Sequence, residues 1–230
     1  MTTETDNVEQ PKNLSDREIF TKIWFSPRKV FKDINERCYS KYVPVLLVLA
    51  GISRALERAS VKNLGDKLPP SHWGVPGVCI LVGICIIGGG LLGWVGFYLY
   101  AALISWTGKW LKGKGDTKSI ARVWAYAMIP YVVVLVFWAV RIGIYGIEVF
   151  KENGDVTSAG LFLNIIFYLS GFLTLVIGIW MYVFCVIGIS EVQKFSIWKS
   201  ILNILMPVFV VFIPIGLILI LIGGLLFRNM

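Results

Sequence analysis

A single histidine, His72, occurs in the 230 residues, and no acidic or thiol neighbour stands at ligand spacing from it. It is a poor metal or catalytic candidate. The four cysteines, Cys38, Cys79, Cys85 and Cys185, form no C-x-x-C pair, and three fall in apolar runs. They read as buried free thiols, which leaves no basis for a disulfide framework or a zinc site. A cleavable leader is also not expected, because the first apolar run begins only near Tyr42, after a long polar and basic segment. That run has the character of a signal anchor. Charge is sparse, at 16% of residues, and acids are the rarer sign, 14 against 22 Lys and Arg. The net charge of +8 does not point to nucleic acid, since the cations sit in short segments flanking apolar runs. There they act as orientation signals and as contacts to anionic lipid head groups. No nucleophile, base and orienting group can be named together, so no enzyme, cofactor or metal is expected.

What the chain has in quantity is apolar surface: 57% hydrophobic residues, 14% aromatic and a mean hydropathy of +0.74. This composition describes a small polytopic membrane protein and excludes a soluble domain. The organising stretch is Val75 to Trp106, thirty-two residues without a charge. As one helix it would be about 48 Å long, more than the roughly 30 Å hydrocarbon core needs. It must tilt, kink or break, and Gly88 to Gly90 is the expected weak point. The loop that follows carries Lys109, Lys112, Lys114, Lys118 and Arg122 against one acid, Asp116. Such loops stay cytoplasmic, so the stretch reads as one long crossing from outside to inside. Two motif matches fail on context. Gly88, Gly90 and Gly93 spell G-x-G-x-x-G without a preceding strand, and Gly108 to Lys114 resembles a phosphate loop but continues into Gly115 where Ser or Thr is required. Gly89-x-x-x-Gly93, with Gly96 a turn further on, is better read as a small-residue face for helix packing.

In chain order, residues 1–13 lack apolar periodicity and are expected to form a disordered tail. Residues 14–41 form an amphipathic leader. Ser15 with Glu18 is a capping box ahead of Ile19, Phe20, Ile23 and Trp24, and Ser26-Pro27 opens a second helix with Val30, Phe31 and Ile34 on one face. The leader either lies on the inner leaflet or receives a cytosolic partner, or else caps the membrane bundle. Spans follow at about 42–60, 75–106, 119–146, 160–189 and 198–227. The first is the least regular, because Arg54, Glu57 and Arg58 lie in its last turns on one side. They form either a polar pocket between helices or an intrahelical pair whose long side chains snorkel outwards. Thr117 or Ser119 is expected to cap the third span, and Pro130 to kink it one turn inside the membrane. Arg141 and Glu148, seven apart, share a face near its outer end and could pair, or answer the charges at Arg54 and Glu57 on the same side of the bilayer. Asn164 needs a partner if it faces the bundle. Fifteen Lys and Arg then lie inside and seven outside, which places the N-terminus in the cytoplasm and the C-terminus outside.

Three segments carry a family resemblance. Phe25-Ser26-Pro27-Arg28-Lys29-Val30-Phe31 precedes the first span. The Gly113-Lys114-Gly115 loop leads into Arg122-Val123-Trp124-Ala125-Tyr126-Ala127-Met128-Ile129-Pro130. Gly188-Ile189-Ser190-Glu191-Val192-Gln193-Lys194-Phe195-Ser196-Ile197-Trp198-Lys199 joins the last two spans. In this order, over about residues 23–204, they resemble bacterial Yip1-domain proteins. The resemblance implies an all-α, five-span bundle with a cytosolic N-terminus in the bacterial inner membrane, and it brings no catalytic residues. Eukaryotic relatives act in early secretory traffic and bind Rab-type GTPases. Their acidic, tyrosine-containing N-terminal motif is absent here, so that role is not carried over. Two functions are expected to compete. One is a non-catalytic protein that organises or recruits membrane or cytosolic proteins, a second copy of the chain among them, with Lys112, Lys114, Lys118, Glu191 and Lys194 as the docking charges. The other is a small transporter or channel using Arg54, Glu57, Arg58, Arg141 and Glu148, with Gly88 to Gly90 and Pro130 as hinges.

Overall fold

The computed structural model describes residues 13–69 and 74–228, with the side chains of the last helix described in part from residue 212 onward. Residues 1–12 of the tail expected at 1–13, and His72, lie outside the described residues. Among the described residues the fold is helical without strands. The helices are α1 (Asp16–Lys22), α2 (Pro27–Glu36), α3 (Val43–Val61), α4 (Val75–Trp110), α5 (Thr117–Ala127), α6 (Ile129–Tyr145), α7 (Leu161–Gln193) and α8 (Ile197–Arg228). Among the described residues, three helical segments are long and apolar enough to cross a membrane: Val75–Trp110, Ile129–Phe150 and Leu161–Gln193.

Five helices form a closed ring in the order α3, α4, α8, α7, α6 and back to α3. One end of the ring is filled by α5, which packs against α3, α4 and α7 and buries every residue from Ile120 to Ala127. Helix α2 lies over α5 and α7, and α1 lies against α2. Ile19, Ile23, Val30, Phe31 and Ile34 are fully buried there, with Phe31 and Trp24 edge-on to Phe184 of α7. The leader therefore forms a cap on this end of the ring. Its first helix starts at Ser15, whose hydroxyl accepts from the Glu18 N–H while the Glu18 carboxylate accepts from the Ser15 N–H at 2.9 Å. Ser26 precedes Pro27 at the start of α2, but its side chain makes no capping bond.

Helix α4 is continuous over 36 residues, with no break at Gly88 to Gly90. The glycines serve a crossing instead. A Cβ on Gly93 would stand 2.7 Å from Gly51 Cα, and one on Gly51 only 2.2 Å from Gly89 O, so α3 and α4 touch backbone to backbone. Gly96 does not belong to this face, since nothing lies within 4 Å of its Cβ position.

The expectation of a single kinked helix over 119–146 is corrected by the structure. Helix α5 ends at Met128 and α6 begins at Ile129, with Pro130 in its first turn. A proline there loses no hydrogen bond, because the first turn has no upstream carbonyl partner, so Pro130 starts a helix rather than bending one. The cap of α5 is also neither Thr117 nor Ser119. Asp116 precedes the helix and accepts from the Ser119 N–H at 3.1 Å and from the Ser119 hydroxyl. A carboxylate serves well at this position because four N–H groups are unpaired and the helix dipole is positive.

Candidate functional site

Of the charges at the end of α3, Arg54 and Glu57 are half-buried, whereas Arg58 and Lys62 are exposed. Arg54, Arg58 and Lys62 are spaced by four residues and line one cavity of about 660 Å³ between α3 and α4, closed further in by Tyr100, Trp124, Tyr182 and Ile204. Arg54 and Glu57 line a second cavity of about 370 Å³ between α3, α6 and α7, together with Tyr131 and Thr174. Arg54 and Tyr182 belong to both cavities, so the two meet at the centre of the ring. The three α3 charges thus divide, with Arg58 in the first cavity and Glu57 in the second. The Arg54 guanidinium sits 5.8 Å from the Phe97 ring centroid and has no hydrogen bond or ion pair among the described residues. The Glu57 carboxylate accepts from the Tyr131 hydroxyl.

Arg141 does not pair with Glu148. It is 8% exposed, donates from Nε to Ser170 Oγ at 2.8 Å and from Nη2 to Thr174 Oγ1 at 2.9 Å, and lies 5.1 Å from the Trp138 ring centroid. The reason is local. After Tyr145 the chain enters a short 3-10 segment, Gly146–Phe150, which folds back so that Phe150 stacks on Trp138. That reversal removes the helical register that would have aligned residues 141 and 148. Glu148 instead accepts from Lys151 at 2.7 Å and from the Asp155 N–H at 3.2 Å. Asn164 receives the Tyr145 hydroxyl and donates to Thr157 O at 2.7 Å.

At the capped end, Lys112, Lys114, Lys118 and Lys194 are exposed. Lys194 bonds Glu191 at 2.8 Å and follows α7 in a left-handed conformation. Arg122, grouped with these cations in the sequence, is buried and donates to Ser40 Oγ at 3.0 Å. The loop before α5 is held by a polar cluster that sequence reasoning missed. Gln193 Oε1 accepts the Gly115 N–H at 2.8 Å, and Gln193 Nε2 reaches Asn203 Oδ1 at 3.3 Å. Asn203 Nδ2 donates to Thr107 Oγ1 at 2.9 Å and to Ile104 O at 3.1 Å. Both residues are at most 1% exposed, so this cluster ties α4, the loop, α7 and α8 into one unit. Asn203, a lone amide in the apolar run of α8, was the available signal.

Outside the spans, electrostatics concentrate on Asp16. The Lys41 ammonium at 2.6 Å and the hydroxyls of Tyr39 and Tyr42 all donate to it, and they hold its carboxyl well below the usual carboxylate range. Burial, with its hydrogen bond to Asp16 second, pushes the Tyr39 phenol up to about 12. These contacts pin α1 to the start of α3.

The Yip1 domain model matches residues 21–220, from the end of α1 to within α8. The chain belongs to the Yip1 family. Its Yip1 domain is therefore the whole ring with α2 and α5, and the three quoted segments fall at the capped end: α2, the loop and α5, and the α7 to α8 junction. No curated protein and no solved structure matches the chain. In this Yip1 domain no group of three or more His, Cys, Asp and Glu suited to a metal occurs among the described residues.

Proposed function

We propose that this Yip1-family membrane protein is a non-catalytic, five-span protein of the bacterial inner membrane that recruits or organises partners at its cytoplasmic face, which is the capped end. The observation that carries the reading is the character of that end. It is a folded cap whose apolar face is spent internally, leaving Arg28, Lys29, Lys32, Lys112, Lys114, Lys118 and Lys194 on its surface. The fifteen to seven distribution of Lys and Arg supports the orientation, and α3 and α8 supply the two crossings beyond the three long apolar segments. Phe25 and Trp198, 90% and 80% exposed, stand beside these cations and suit the boundary between head groups and a bound protein.

The test is capture from native membranes in mild detergent, comparing wild type with Glu191→Gln and with Lys112, Lys114 and Lys118 changed to Gln. Specific partners should be lost from the variants, more so at high salt. Thermal stability should change by no more than about 1 kcal/mol, since the pair reaches water through Lys194, whose side chain is 53% exposed, although that of Glu191 is 17% exposed. A large downward shift in the melt of Glu191→Gln would move that residue from docking to structure.

A transport role is the second reading, favoured by the interior cavities that meet at Arg54. Flux through proteoliposomes that falls in both Arg54→Gln and Glu57→Gln, with unchanged partner capture, would put it first.

A further inference from the structure

The cavity between α3 and α4 has a one-sided charge. Arg54, Arg58 and Lys62 line it as a ladder along a single stripe of α3, no carboxylate is among its lining residues, and none of the three side chains forms an ion pair among the described residues. The nearest acid in sequence, Glu57, faces the other cavity and is held by Tyr131. Arg54 stands about one helical turn from the crossing of Gly51 with Gly89 and Gly93, which lies near the middle of the 36-residue α4, and an unpaired cation at that depth is costly. Arg58 and Lys62 follow towards the end of α3 and are exposed. The opposite wall is apolar and open. Ile84 and Leu92 line the cavity yet remain 57% and 74% exposed, so the groove runs out onto the lipid-facing surface. At its inner end Trp124 is 5% exposed and its indole N–H has no acceptor.

We propose that this groove binds one anionic phospholipid, entering laterally from the bilayer, with its phosphate on Arg54 and Arg58 and an acyl chain along the α4 wall. Arginine suits phosphate because the planar guanidinium offers paired donors, and Lys62 extends the positive potential towards the end of α3. This goes beyond recruitment at the capped end and does not depend on it.

The full-length protein in uncharged detergent is melted with phosphatidylglycerol, with phosphatidylcholine of the same acyl chains, and with inorganic phosphate alone. Phosphatidylglycerol near saturation should raise the midpoint by about 5 to 10 °C, and the other two by far less. Arg54→Gln with Arg58→Gln should abolish the difference between the lipids. Gly88→Leu with Gly96→Leu should do the same by filling the groove, and it remains testable if the arginine variant misfolds, because nothing lies within 4 Å of either Cβ position. Lys112→Gln with Lys114→Gln, at the capped end, should leave the shift intact. An equal shift with phosphatidylcholine, a shift reproduced by phosphate, survival of the shift in the glycine variant, or its loss in the capped-end variant would overturn the proposal.

Discussion

At the residue scale, the structure separates glycines that looked alike in the sequence. Gly51, Gly89 and Gly93 stand where two backbones meet, whereas Gly88 and Gly96 face open space. Gly51→Ala should lower stability in detergent by about 1 to 3 kcal/mol through overpacking, and Gly88→Ala should be neutral or gain up to about 1 kcal/mol from helix propensity. Paired thermal melts check both. Asp16 gives a pH signature. Its carboxyl is depressed by Lys41, Tyr39 and Tyr42, and that of Glu18 is lowered to about 2 by Lys22 and Ser15. A depressed carboxylate contributes stability above its unfolded value of about 4, and the contribution is lost as pH falls towards the folded value. The leader should therefore loosen as pH drops from about 4 towards 2. Amide exchange in α1 should accelerate over that window, and Asp16→Asn should show the faster exchange already at neutral pH.

At the scale of elements, the apolar runs were legible because length and composition alone decide them. The apolar length of residues 75–106 and the apolar face of α2 needed nothing from elsewhere in the chain, whereas the continuity of Val75–Trp110 through Gly88 to Gly90 was left open by the sequence. The break at Met128 was not legible in the same way, because a proline eight residues past Arg122 reads equally as a kink or as a helix start. Pro130→Ala separates the two. With proline in the first turn of α6, the substitution should change stability by less than about 1 kcal/mol, whereas relief of a mid-helix kink would stabilise by about 3 kcal/mol. The cluster of Gln193 and Asn203 was hidden because these residues meet partners 78 and 96 residues away along the chain. Asn203→Leu, which strands the Gln193 amide N–H and removes the donor to Thr107 Oγ1, should cost about 1 to 3 kcal/mol and free the loop before α5, seen as faster proteolysis there.

At the scale of the whole molecule, the ring order α3, α4, α8, α7, α6 rests on contacts between distant segments, of which Gly51 against Gly93 is the clearest. Periodicity along one helix carries no record of such pairings. For the same reason the sequence could group Arg54, Glu57 and Arg58 on one helix but could not assign Arg58 and Glu57 to separate cavities, nor see that Arg141 turns to Ser170 and Thr174. The central claim is that the capped, basic end is the cytoplasmic working face. The direct measurement is labelling of intact cells with a membrane-impermeant thiol reagent, in a protein whose exposed Cys79 has been changed to Ser. The account predicts that the exposed native Cys38 and a cysteine placed at Lys114 react only after permeabilisation, and that one placed at Asn153 reacts at once. Reaction of Cys38 or Lys114→Cys in intact cells would invert the protein in the membrane and contradict the account.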